Sequence, residues 1–324
     1  MNSKVINVYH KSFKKYLIIF TNIIIFLFLI RWFVNNIDFR LFMGSFQLIP
    51  LWAGIGTVAI NISAIVFYGL RMSLFLDSPF KKSFGIIMLG YGFNALLPFR
   101  LGEAAKIFYA NRIYSVSATK LVRALFLEHL FDLTVVLFLG FMAIYFRQEI
   151  IKSSIIYFLT GIVLTLFLVM ISFKGVFLKS PWGERLNRSN IFRTLSNIFD
   201  ITMERRKLFS IAFYTMTIWF FNLFTIYYSF NLFFNDIPFS IINAIVLLII
   251  MSLAIAMPSA PAGVGLYEAG IVAYLVYAFN ISNERALASA FLFHFLVTIP
   301  QIISTVIVLL KNKLTSRKFL IKLL

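Results

Sequence analysis

The stretch FSIINAIVLLIIMSLAIAMPSAPAGVGLYEAGIVAYLVYAF, residues 239–279, decides what kind of fold this chain can have. Residues 239–257 are almost purely apolar and long enough to enter deep into a hydrocarbon core. Two prolines and two glycines then interrupt the run between Pro258 and Gly265, and Leu266–Phe279 resumes for only 14 residues. Proline removes a backbone donor and glycine frees the backbone, so a helix must stop and restart here. In lipid such a break is tolerated only where protein or a water-filled cavity covers it. The spacing predicts two half-helices buried inside a membrane protein.

The composition agrees. Of 324 residues, 61% are hydrophobic, 40 are Phe and 13% are charged, against roughly 45–50% apolar and roughly 25% charged in soluble domains. A soluble enzyme, a secreted scaffold and a nucleic-acid binder are excluded. The net charge of +18 comes from cations clustered between apolar runs, as in cytoplasmic loops. Such clusters also attract anionic lipid head groups. The chain has no Cys, hence no disulfide or thiolate site, and its three His (His10, His129, His294) are too scattered to suggest a metal site. No cofactor is expected.

Working outward, apolar runs place full spans at about 16–34, 47–69, 118–146, 153–173, 208–233 and 286–310. The first is too long for a signal-peptide core and lacks a small-residue cleavage site after it, so it reads as a retained span. Residues 35–46 read as an outer loop. A second broken run, 83–117, is interrupted at Asn94, Pro98 and Gly102. Cations flank it on both sides, Arg71, Lys81 and Lys82 before it and Arg100, Lys106, Arg112, Lys120 and Arg123 after the break. A hairpin that enters from the cytoplasm and returns there satisfies both flanks. Residues 174–207 form a basic cytoplasmic loop resembling an amphipathic helix on anionic lipid. The expectation is an all-α polytopic protein of the cytoplasmic (inner) membrane, a single transmembrane domain over 1–324. It has about six full spans, two broken or re-entrant helical hairpins, and both termini inside.

An internal repeat is expected between 1–150 and 151–324. Glu103 precedes His129 by 26 residues, and Glu268 precedes His294 by 26 as well. Each Glu follows a break, Pro98-Phe-Arg-Leu-Gly-Glu103 and Pro261-Ala-Gly-Val-Gly-Leu-Tyr-Glu268. Three crossings separate the hairpins, so the halves would be inverted. In secondary transporters such repeats flank the substrate site. The alternative is that these interruptions merely kink helices.

Glu103, Glu128, Asp132 and Glu268 lie in or beside apolar segments. A charge at a helix centre costs roughly 2.5–3.5 kcal/mol on insertion scales, so these residues should face protein or water. Glu103 and Glu268 either stabilise the dipole of their half-helix or shape a path for substrate. The breaks before Gly102 and Gly265 leave N–H groups suited to a phosphate oxygen, with Arg100 and Lys106 adding charge. Glu128 and Asp132 share a helical face, with His129 about 100° away. They read as a proton relay or as an ion-pair network with Arg123 or Arg100. His294 alone reads as a hydrogen-bonded packing residue. No catalytic residue is assigned: Gly-x-Ser-x-Gly, Asp-x-Asp, His-Glu-x-x-His and P-loop motifs are all lacking.

Three motifs carry a resemblance: Asn94-x-x-x-Pro98-x-x-x-Gly102-Glu103, Glu128-His129-x-x-Asp132, and Pro258-x-x-Pro-x-Gly263-x-Gly265-x-x-Glu268. Together they resemble the transmembrane region of lysylphosphatidylglycerol synthases, which also occurs in standalone flippase-like membrane proteins. The resemblance covers about residues 15–310. It implies a lipid-translocating module acting on anionic or phosphate-bearing membrane lipids, without nucleic acid. A separate lipid-modifying enzyme would be a natural partner. Full-length synthases continue into a cytoplasmic domain that makes the aminoacyl lipid. This chain stops fourteen residues after its last span, so synthase activity is not expected. His129 and His294 depart from the Arg usual in the family, and His is only fractionally charged at neutral pH. The alternatives are an intramembrane transferase, or its subunit, acting on lipid-linked substrates, and a scaffold for a lipid enzyme.

Overall fold

The computed structural model describes residues 31, 38–47, 49–146, 203–257 and 259–312. Spans 16–34 (save Arg31) and 153–173, most of the 174–207 loop and Pro258 lie outside the described residues. The described residues are mostly helical, with short connections and no strand among them. They form α1 (Phe39–Gln47), α2 (Leu51–Leu76), α3 (Phe80–Leu96), α4 (Leu101–Tyr114), α5 (Ala118–Phe146), α6 (Arg205–Phe233), α7 (Ile241–Ala256), α8 (Leu266–Phe279) and α9 (Asn283–Lys311). Single 3-10 turns, Pro98–Arg100 and Pro261–Gly263, join α3 to α4 and α7 to α8.

Five described stretches are long and apolar enough to cross a membrane: Leu51–Leu76, Ala118–Ala143, Arg205–Phe233, Pro261–Phe279 and Asn283–Lys311. Large apolar side chains point outward along them, among them Leu51, Phe209 and Phe220. In water this belt would be a severe liability, whereas acyl chains solvate it. The chain is an all-α polytopic membrane protein. At about 1.5 Å per residue, α4 or α8 alone reaches only about 21 Å, short of the roughly 30 Å core. Only with its preceding 3-10 turn does α8 reach the 19 residues of a crossing stretch.

The two largest differences from the sequence expectation lie at α1 and at the end of α2. Residues 39–47 form α1 rather than loop, because the Asp38 carboxylate accepts hydrogen bonds from the Arg40 (2.8 Å) and Leu41 (3.2 Å) N–H groups and caps the helix. Its Phe42 packs edge-on to Phe291 of α9. Helix α2 continues to Leu76, past the expected end at 69. Arg71 does not end it, because this side chain finds carboxylates inside the bundle.

Helix α2 packs along α6, α3 along α9, and α4 back against α3. One core gathers around Phe230, Phe293 and Tyr274, and a second around Met72, Ile86 and Leu127. The helix bounds after the two breaks share one register: Leu101 answers to Leu266, Tyr114 to Phe279 and Ala118 to Asn283, each shifted by 165 residues. The left-handed residues that close α4 and α8, Ser115 (φ 51°) and Asn280 (φ 53°), keep the same shift.

Candidate functional site

The two breaks meet. After Pro98 the chain turns through Phe99 and Arg100, both at φ 56°, before α4 begins. After Pro261 it turns through Ala262 (φ 57°), Gly263 (φ 82°) and Gly265 (φ 90°) before α8. Left-handed conformations cost a non-glycine residue roughly 1–2 kcal/mol, so the tips need outside support. They support each other: the Phe99 N–H donates to the Ser259 carbonyl at 2.9 Å. Gly102 has a steric role, since a Cβ there would collide with the backbone nitrogen and side chain of Asn94.

Each break places a Glu at the third position of the following half-helix. Glu268 is 2% exposed and accepts the Gly265 N–H at 2.7 Å. Its other oxygen lies 2.5 Å from His294 Nδ1. The bond to Gly265 caps α8, which is the dipole role weighed above. His294 is hydrogen-bonded and buried, as read from sequence, with its ring 4.4 Å from that of Tyr267. Glu103 accepts from Asn94 Nδ2 at 3.2 Å and lies 3.0 Å from Lys106 Nζ. His129, its counterpart at the 26-residue spacing, is exposed.

From Glu103 a chain of alternating charges runs into the bundle. Lys106 Nζ lies 3.4 Å from Glu128, and Glu128 lies 3.6 Å from Arg71. The Arg71 guanidinium, 1% exposed, holds Asp132 with two bonds of 2.6 and 3.0 Å. Arg71 also donates to Thr215 at 3.2 Å, and Trp219 Nε1 donates to Asp132 at 2.9 Å. The partners of Glu128 and Asp132 are thus Arg71 and Lys106, in place of the expected Arg123 or Arg100. Room for Lys106 comes from Gly90, where a Cβ would stand 2.6 Å from its Cδ. Charges so buried are tolerable only when paired, and removing one partner typically costs about 3–5 kcal/mol.

Beside this chain opens a cavity of about 540 Å³ between the two hairpins. Among the residues expected in a site, Asn94, Arg100, Glu103, Glu128, His129 and Asp132 line it, as do Gly263 and His294. Pro98, Gly102, Gly265 and Glu268 shape the breaks without lining it. Arg100 lines the cavity and forms no salt bridge among the described residues. The sequence reading passed over Arg71, Asn61, Tyr68, Tyr91 and Trp219. The signal for Arg71 lay in the two intramembrane carboxylates, which demanded a cation from a neighbouring helix. No group of His, Asp and Glu among the described residues is arranged to hold a metal ion.

The family described as the lysylphosphatidylglycerol synthase TM region matches residues 19–304. The UPF0104 membrane protein MJ1078 of Methanocaldococcus jannaschii is 26% identical over 207 residues, covering 62% of this chain and 85% of that protein. No solved structure matches the chain.

Proposed function

Since the chain belongs to the lysylphosphatidylglycerol synthase TM region family, we propose that it moves a phosphate-bearing lipid, or a lipid-linked precursor, between leaflets of the cytoplasmic membrane. The observation that carries this reading is the meeting of two broken hairpins, Phe99 to Ser259, beside a charged cavity of about 540 Å³. Intramembrane charges are costly and mark pathways by default, and broken helices at a repeat interface are where transporters bind.

In this reading the two hairpins belong to inverted repeats, and both termini are cytoplasmic. Arg100 supplies the counter-charge for the lipid phosphate, at the start of α4. The α8 end contributes less in this state, because Glu268 already occupies the Gly265 N–H. Alternation between the halves then exchanges two arrangements: Glu103 leaves Lys106 for His129, while Glu268 releases His294.

The test is reconstitution in liposomes carrying a fluorescent phospholipid quenched from outside. Wild-type protein should expose the inner-leaflet pool faster than protein-free liposomes do, and Arg100→Ala and Glu103→Ala should abolish that gain in folded protein. A wild-type rate equal to that of empty liposomes, or full activity in both variants, would sink the assignment.

A further inference from the structure

We infer that the cavity loads from within the membrane, through a window between α5 and the broken end of α7. The hydrocarbon chains of the lipid stay in this window while its head group enters. The inference rests on the translocator reading and names the route by which the cavity takes its ligand. It starts from two matched stripes of side chains.

On α5, Ala143, Leu139, Val136, Asp132 and His129 follow one another at alternate steps of four and three residues, which places them along one face of the helix. On α7, Ala244, Leu248, Met251 and Ile255 do the same. The two helices pack against each other. At the end where α7 begins the stripes are closed: Ala143, Leu139, Ala244, Leu248 and Met251 are all buried in one core. Towards the second break they open. Ile255 is 45% exposed and His129 is exposed as well, yet both line the cavity. A residue that lines a cavity and also faces outward stands at its mouth. Leu133 and Leu253, likewise exposed and lining, complete the rim.

The cause is the break itself. Helix α7 stops at Ala256, and the chain turns off into the 3-10 turn Pro261–Gly263. Helix α5 is longer: from His129 to its other end at Ala118 it runs about 16 Å further. A continuous α7 would have covered that face, and the half-helix does not reach it. The interruption that brings Ser259 to Phe99 therefore also opens the cavity sideways.

What fills the window follows from its two sides. Leu133, Leu253 and Ile255 continue the outward apolar belt, which acyl chains solvate. Just inside lie Asp132, Glu128 and Lys106, which hydrocarbon cannot solvate. A water-soluble ligand gains nothing from an apolar rim. A phospholipid matches both sides, with its chains against the rim and its head group inside. With the termini cytoplasmic, the Ala118 end of α5 is its cytoplasmic end, and the window serves the inner leaflet.

The test uses the full-length chain, which has no Cys of its own. Leu133→Cys, Ile255→Cys and Phe220→Cys are each labelled with bimane and reconstituted in phosphatidylcholine, and phosphatidic acid with brominated chains is titrated in as quencher. Phe220 faces outward on α6 and does not line the cavity, so its quenching should rise in proportion to the brominated fraction. Quenching at Leu133 and Ile255 should saturate while that at Phe220 still rises, as for lipid held at a site. Ala256 is exposed and lines the cavity; Ala256→Trp adds bulk at the rim and should slow lipid exchange in liposomes about tenfold, against less than about twofold for Phe220→Trp. If Ala256→Trp does not fold, Leu253→Trp should slow exchange in the same direction. Proportional quenching at all three sites overturns the inference, as does wild-type exchange in the folded rim variant. Saturation at the window in a protein that exchanges no lipid would remove the translocator reading and keep the window. Lipid exchange without saturation, and unslowed by the added Trp, would do the reverse.

Discussion

In the first hairpin, Glu103 turns to Lys106 and Asn94; in the second, Glu268 at the same position of its half-helix turns to Gly265 and His294. The difference extends along the neighbouring helices. At the shift of 165 residues that aligns α4 with α8 and α5 with α9, Lys106, Glu128 and Asp132 answer to Ile271, Phe293 and Val297. The apolar set sits on helices that start in the same register as those of the charged set. The charges are therefore not needed to form this architecture. In a bilayer they only add cost, so their presence on one side of the cavity argues for a task other than folding.

The hardest way to break that comparison is to strip the charged half of its central cation. Arg71→Met leaves Asp132 and Glu128 buried without it and should destabilise the protein by about 3–5 kcal/mol. Replacing Arg71 and Asp132 together by apolar residues should cost clearly less, because fewer uncompensated charges remain buried. Thermal unfolding of the purified variants reads both. A double variant as unstable as the single would mean that the network does not act as pairs.

A smaller change sharpens the comparison by making the first half resemble the second. Lys106→Met frees Glu103 from its cation, and a stability loss of about 1.5–3 kcal/mol is expected for the missing charged hydrogen bonds. Glu103 should then turn to His129. His129→Ala should therefore cost more stability in the Lys106→Met background than in the wild type, as thermal unfolding of the single and double variants reads. Equal losses in the two backgrounds would count against a pairing of Glu103 with His129.

The two histidines give the next contrast. His294→Ala removes a buried partner of Glu268 and should cost about 1–3 kcal/mol, whereas His129→Ala at an exposed position should stay within about 0.5 kcal/mol. Equal losses in a melting experiment would mean that the two halves are the same where the structure makes them different.

How far the sequence could be read follows from where polarity changes. The bounds of α8 were legible to the residue, because Gly265 and Asn280 mark its ends. The third-position Glu of each half-helix was legible from its distance to the break. Arg71 was not, because a cation just past an apolar run has the look of a loop residue until two carboxylates on another helix claim it. The meeting of Phe99 with Ser259 joins residues 160 apart in the chain, and no local pattern announces such a contact. Asn61 was hidden for a related reason: an amide in an apolar helix is unremarkable until it proves unpartnered.

The smallest effect belongs to the clasps at the helix ends, to which each half contributes an Asp. The loops after α2 and α6 each carry an Asp bound to a later cation: Asp77 to Lys207 at 2.6 Å, and Asp236 to Arg285 at 2.6 and 2.5 Å. The hydrogen-bonded Arg285 guanidinium holds the Asp236 carboxyl below its ordinary range. A carboxylate lowered in the folded state stabilises above its ordinary pKa, and the contribution fades as pH falls through the lowered value. Asp236 is 59% exposed, so solvent screening limits the pair to about 1 kcal/mol or less. The melting temperatures of wild type and Asp236→Asn should therefore differ slightly at neutral pH and converge in acid. A gap that widens on acidification would reverse the assigned sign. A neutral-pH gap as large as that of His294→Ala would mean that the helix-end clasps, to which both halves contribute, rather than the cavity, where they differ, set the stability of the bundle.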